Sequence, residues 1–372
     1  MMNLSYWEIK SYLSNIHFTI VGSGIVGLNC ALGLKERFPE ATIIILERGC
    51  LPQGASTKNA GFACFGSLSE ILDDLKIHSE DDVIELIGKR RKGLKLLRQT
   101  LSDTSIAYKQ HGGYEVFDQH DYEGYNYCMA NMDRVNTLLK PHFKEEVFKV
   151  KNNVFNFKNI QQQLSFTPFE GQIDTGKMMR ALTDLVLSKG ILILNSVEVE
   201  HFEELNDSVH IKTNHFDFKS KQLLICTNGF ASTLIKVETK PARAQVVITK
   251  PIKNLKIKGT FHLDKGFYYF RNIDDRILLG GGRNLDFKTE ETTEMAQTEI
   301  IQNKLEELLT TTILPTTPFE IDHRWSGIMG VGATKKPIVQ QLSSRVFCGV
   351  RLGGMGIAIG SNVGRDLADL VQ

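Results

Sequence analysis

The chain has 372 residues, 42% of them hydrophobic, with 44 Lys and Arg against 43 Asp and Glu, a formal charge of +1. That length allows a large core in two domains, or in one domain with an insertion, and the near-neutral balance gives no reason to expect nucleic acid or acidic partners. Six scattered cysteines with no CxxC pair or metal-ligand spacing argue against a metal centre and for a reducing compartment. Residues 1–10 show no basic segment leading into an apolar core, and no apolar run reaches membrane-span length, so the expectation is a soluble, cytoplasmic protein without an integral membrane segment.

The first clear pattern is a short β-branched run, 17–21, that enters Gly22-Ser23-Gly24-Ile25-Val26-Gly27 and continues with helical apolar spacing to residue 38. In this strand–turn–helix unit Gly22 takes a tight turn, Gly24 admits a pyrophosphate close to the backbone, and Gly27 lets helix and strand approach. The phosphates then meet the positive helix N-terminus. After Pro39 a second apolar run, 42–46, ends at Glu47-Arg48. Glu47 stands twenty positions beyond Gly27, where a carboxylate meets the ribose hydroxyls of an adenosine. NAD and FAD both carry adenosine diphosphate, so this unit does not choose between them.

The loop 54–61 follows, in which Ser56, Thr57, Lys58, Asn59, Ala60 and Gly61 combine small residues with donors for phosphate or a ring edge. Helical patterns cover 69–76 and 81–101, and the basic run Lys89-Arg90-Arg91-Lys92 in the second reads as a solvated helix face. A turn enters a strand at 111–117, a helix spans 122–139, and 144–163 is polar and poorly patterned. Asp174 is placed to cap a helix over 175–188 that ends at Gly190, and a strand over 191–194 continues through Val197, Val199 and Phe202. A hairpin at 209–218 precedes a buried strand, 223–226, that ends in Thr227-Asn228-Gly229. From 241 the pattern is β-rich, with strands at 242–248, 267–271 and 276–280, then a helix over 291–309. Finally strand 346–349 leads into Arg351-Leu352-Gly353-Gly354-Met355-Gly356 and a helix from Ile357.

A second strand–glycine–helix unit at the far end of the chain is the discriminating feature. Together with the loop 54–61 and the Thr-Asn-Gly turn it resembles the FAD-dependent amino acid and amine oxidoreductases, the family of D-amino acid oxidase, glycine oxidase and sarcosine oxidase. The fold implied is α/β, a Rossmann-like FAD-binding domain built from discontinuous segments (1–90, 165–240 and 325–372) plus a mixed-sheet substrate domain (91–164 and 241–324). The resemblance implies that Gly22 to Gly27 hold the pyrophosphate and that Glu47 holds the ribose. The loop from Ser56 to Gly61 then passes between pyrophosphate and isoalloxazine, and Val199 meets adenine. Thr227, Asn228 and Gly229 take the place of the family's Ala-Thr-Gly turn. Gly353, Gly354, Met355, Gly356 and Ile357 border the pyrimidine end of the flavin, where a helix N-terminus stabilises negative charge on the reduced ring.

The implied reaction is hydride transfer from an amine-bearing carbon to flavin N5, with oxygen or another acceptor taking the electrons. FAD carries the difficult chemistry, and a neutral amine needs no side-chain base or metal. Alternation puts Tyr269 and Arg271 on one strand face, a pair suited to a carboxylate. The segment 324–330 resembles the family's Trp-Ala-Gly-Leu-Arg-Pro, yet Met329 stands where the arginine would be, and a thioether cannot pair with a carboxylate. Arg271, Arg351 or Arg283 then takes over, or the substrate is an amine without an α-carboxylate. Arg243 and Gln245 are expected to brace the domain junction, and His323 to be structural. An NAD-dependent dehydrogenase, an FAD-dependent 2-hydroxy acid oxidase or dehydrogenase of the same fold, and a non-catalytic flavin- or NAD-binding protein are the alternatives. The oligomeric state is not legible.

Overall fold

The computed structural model describes residues 2–372, and two eight-stranded sheets dominate it. The first has the order Ile338–Gln341, Val346–Val350, Asp217–Ile225, Ile16–Val21, Ile43–Glu47, Leu192–Asn195. Its four central strands run parallel and their cores are buried on both faces, which explains the continuous Ile/Val/Leu runs. The helices Ile25–Arg37 and Gly356–Leu370 pack on one face of it, in one core with Thr175–Ser188. Asp174 caps that last helix by accepting from the Lys177 N–H at 2.9 Å.

The second sheet has the order Ile321–Val331, Lys240–Thr249, Arg276–Gly281, Tyr268–Ile273, Thr260–Leu263, Gly113–Val116, Gln163–Thr167, Lys149–Asn152. Every pairing is antiparallel except Thr260–Leu263 with Gly113–Val116, so this sheet is mixed. Glu80–Leu101 is one unbroken helix through residue 90, and Ile321–Val331 is one strand through residue 325.

Several local expectations are corrected. The polar stretch 144–163 contains the strand Lys149–Asn152, and its Phe155 and Phe157 pack edge-on against Phe261; two aromatic side chains anchor a segment too polar to show a pattern. Val199–Glu204 is no continuation of Leu192–Asn195 but pairs antiparallel with Val209–Thr213. The hairpin's second arm and the buried strand are one element, Asp217–Ile225. The late helix begins only at Glu299, because 291–298 is a bend followed by irregular chain. Arg90 is not solvated: it is 3% exposed and donates to the Phe65 carbonyl at 2.8 Å, while Arg91 stacks on Phe143. The side chains of Arg243 and Gln245 do not bridge to the first sheet. They bind Glu290, Thr298 and Gln302, fastening the neighbouring helices to their own sheet. His323 is exposed and stacks on Trp325.

Candidate active site

A cavity of ≈ 570 Å³ runs from the carboxyl ends of the parallel strands to the face of the second sheet, the end at which open α/β sheets bind ligands. At its start, Gly22 has φ +102°, and a Cβ there would stand 3.0 Å from the Cys226 carbonyl oxygen. A Cβ on Gly27 would collide with the Gly22 carbonyl oxygen, so this glycine allows the turn and the first helical turn to touch. Glu47 lies at the cavity wall, with Oε2 accepting from the Ser23 N–H at 3.2 Å and hydroxyl at 2.7 Å, and Oε1 from the Gly49 N–H at 3.0 Å. Ser23 itself does not border the cavity; it fixes the carboxylate.

Gly22, Gly24, Ile25 and Val26 line the cavity beside Glu47, Arg48 and Val199. The Arg48 guanidinium lies 3.9 Å from the Phe230 ring centroid. Ser56 caps the first helix by accepting from the Ile25 N–H at 2.9 Å. Of the rest of that loop, Lys58, Asn59, Ala60 and Gly61 reach the cavity, whereas Thr57 turns inward to the Pro52 and Gly54 carbonyls. Asn59 ties the loop to itself and accepts from the Thr175 hydroxyl at 2.9 Å.

The far glycine turn meets the same space. Gly353 (φ +58°) and Gly354 (φ +80°) bend the chain so that Met355, Gly356 and Ile357 line the cavity at the start of the terminal helix. Asn228 Oδ1 accepts from the Arg351 and Leu352 N–H groups at 3.1 and 3.2 Å, joining the Thr-Asn-Gly turn to this one. Thr227 and Asn228 border the cavity, but Gly229 is packed under the Met329 carbonyl.

The structure separates the three arginines considered for a carboxylate. Arg271 does share a strand face with Tyr269, but the loop 59–61 covers it. Its guanidinium donates to the Ala60 carbonyl and, at 2.9 Å, to that of Ile173, and burial lowers its pKa to about 10. Arg351 also stays outside the cavity, engaged by Glu238, the Lys336 carbonyl and Thr334. Neither guanidinium lines the cavity, so neither is presented to a substrate there. Arg283 differs. Gly281 (φ +123°) and Gly282 (φ +83°) turn the chain after Arg276–Gly281 and bring Arg283 to the cavity wall near Tyr269. It has no carboxylate partner and donates no hydrogen bond among the described residues, and burial lowers its pKa.

Tyr269 lines the cavity with its ring over Gly280, where a Cβ would come within 2.6 Å of it. Burial pushes its hydroxyl up to about 12, so it is a protonated donor at neutral pH. Phe62 packs edge-on against both Tyr269 and His262, the residue opposite Tyr269 on the neighbouring strand. Sequence reasoning missed His262, because its four-residue strand is too short to display alternation.

The residues present fit a flavin dinucleotide. Two helix N-termini face one continuous cavity, a carboxylate is held at the first turn, and the buried Thr227 Oγ1 on the wall has no partner. Fold and site together define an α/β dinucleotide-binding oxidoreductase. The family profile described as FAD dependent oxidoreductase matches residues 17–370, so the chain belongs to that family and is an FAD-dependent oxidoreductase. It is similar to γ-glutamylputrescine oxidoreductase of Escherichia coli (20% identical, covering 95% of this chain and 83% of the relative). It is also similar to D-amino acid dehydrogenase of Helicobacter pylori (22%, 95% and 94%). Among solved structures, glycine oxidase from Geobacillus kaustophilus superposes with a TM-score of 0.77 at 18% identity, over 95% of this chain and 94% of that one. No helix among the described residues is long and apolar enough to cross a membrane.

Proposed function

We propose that the enzyme oxidises the CH–NH bond of an amino acid or amine and holds the substrate's carboxylate between Arg283 and Tyr269. The observation that carries this reading is the Arg283 guanidinium at the cavity wall, which rests 5.0 Å from the Phe287 ring centroid but has no anionic partner among the described residues; a half-buried cation in that state is completed by an anionic ligand. The Tyr269 phenol supplies a second donor. FAD supplies the hydride acceptor at N5. The chain's own part is to orient the amine-bearing carbon, exclude water and place the positive ends of two helices along the cavity. The names of the two curated relatives, one a D-amino acid dehydrogenase and one an oxidoreductase of a putrescine derivative, support a substrate with an amine nitrogen.

Oxygen or another acceptor takes the electrons in the second half of the cycle. Anaerobic bleaching of the ~450 nm flavin band, the cofactor's own chromophore, tests the proposal across D-amino acids, N-methyl amino acids, polyamines and 2-hydroxy acids. Bleaching by amines or amino acids is expected; bleaching by hydroxy acids alone overturns it.

A further inference from the structure

His262 borders the large cavity on one side and, on the other, a hole of ≈ 10 Å³ lined in part by Glu115, Ser165 and Glu170. The hole is about the size of one water. His262 is 5% exposed, and its Nε2 lies 3.0 Å from Oε2 of Glu170, a residue with no exposed surface. The Thr260 hydroxyl donates to the same oxygen at 2.9 Å, while Glu170 Oε1 has no partner.

The ionisable groups around His262 come from every neighbouring element. Glu115 stands directly across on Gly113–Val116 and Tyr269 across on Tyr268–Ile273. Glu70, from the helix Leu68–Ile77, acts on both His262 and Cys64, and the buried Arg90 guanidinium acts on Cys64 and is itself influenced by Glu70. Glu115 accepts from Ser67 and Ser69, and burial raises its pKa. Burial by itself would lower the pKa of His262, but Glu170 at hydrogen-bond distance outweighs it and lifts the ring to about 9. The ring is therefore an imidazolium at neutral pH.

With Nε2–H directed at Glu170, the imidazolium's other N–H, on Nδ1, has no acceptor among the described residues. Arg283 follows the strand on the opposite side of Tyr269. His262 sits one strand to one side of Tyr269 and Arg283 just past the end of the strand on its other side, so a cationic donor stands on each side of the Tyr269 strand. A monocarboxylic amino acid has an anion for only one of them.

We infer that His262 is a specificity-determining residue whose Nδ1–H receives a second anionic group, so that the enzyme takes amines or amino acids carrying a carboxylate beyond the one at Arg283. This rests on the substrate reading above and narrows it. The test compares butyrate with glutarate as ligands of the holoenzyme, by flavin absorbance perturbation and by calorimetry. At pH 7 glutarate is expected to bind at least about 10-fold more tightly, the lower range for a charged hydrogen bond, and His262→Gln to bring it down to the affinity of butyrate. In the unmutated enzyme the advantage should fade as pH passes about 9, which tests the idea even if the variant does not fold; Glu170→Gln should move that loss to lower pH. Equal binding of the two acids, or an advantage that survives His262→Gln, overturns the inference. Amines that bleach the flavin without any glutarate advantage remove this inference alone. A His262-dependent glutarate advantage with no bleaching by amines upholds the subsite and removes the proposed reaction.

Discussion

The Ser23 hydroxyl donates to Oε2 of Glu47 at 2.7 Å and ties the glycine turn to the acid that closes the next strand. Three protein donors orient this carboxylate while leaving it on the cavity wall. Glu47→Gln replaces an acceptor-only group by an amide with a single acceptor oxygen, which cannot accept from both Ser23 and Gly49 and loses the charge that the ribose hydroxyls would meet. FAD affinity of the apoprotein, read by quenching of flavin fluorescence, should fall by about 10- to 100-fold, the scale of a hydrogen bond to a charged group. Unchanged affinity would remove Glu47 from the ribose site.

Gly27→Ala should be far more damaging than its single methyl suggests. The Cβ meets the Gly22 carbonyl oxygen, a backbone atom with no rotamer to yield. The loss expected is about 2–4 kcal/mol of stability, since overpacking and a displaced turn add, together with a weaker hold on FAD. Thermal unfolding with and without added FAD measures both.

Arg271→Met and Arg283→Met should separate stability from binding. Removing Arg271 leaves the carbonyls of Ala60 and Ile173 without their donor, which should cost about 1–3 kcal/mol per buried group and lower Tm. Removing Arg283 should leave Tm nearly unchanged and weaken binding of a carboxylate ligand by about 10- to 150-fold. The opposite pattern would return Arg271 to the substrate.

Arg243 and Glu290 form a buried bidentate pair, both bonds at 2.8 Å. Arg243→Met leaves the carboxylate uncompensated, and a destabilisation of about 3–5 kcal/mol is expected. Urea unfolding checks it, with the double variant Arg243→Met, Glu290→Met recovering much of the loss if the penalty is the unpaired charge.

The His262–Glu170 pair also predicts a pH dependence of folding. A histidine raised from 6.5 to about 9 stabilises the folded state fully below its unfolded pKa, and that contribution is lost as pH rises through about 9. The decline between pH 7 and 9.5 should amount to about 2–3 kcal/mol, measured by denaturant unfolding across pH. His262→Gln should flatten it.

The sequence by itself determined the parts governed by neighbours along the chain. Strand, Gly22 to Gly27, helix and Glu47 follow one another within a single βαβ unit, and periodicity or glycine spacing shows each of them. The terminal glycine turn and the Asp174 cap are legible for the same reason. What only the tertiary structure decided is which charged side chains remain free to meet a ligand. Arg271 and Tyr269 alternate correctly on one strand, yet the distant loop 59–61 folds over Arg271, and the Ala60 and Ile173 carbonyls engage its guanidinium away from the cavity. Arg283 is left unpaired because Gly281 and Gly282 turn it toward a cavity whose other wall comes from the opposite end of the chain. His262 acquires its charge from Glu170, 92 residues earlier. Hydrogen-bond donors are consumed by whatever folds against them, and spacing along a strand carries no record of that.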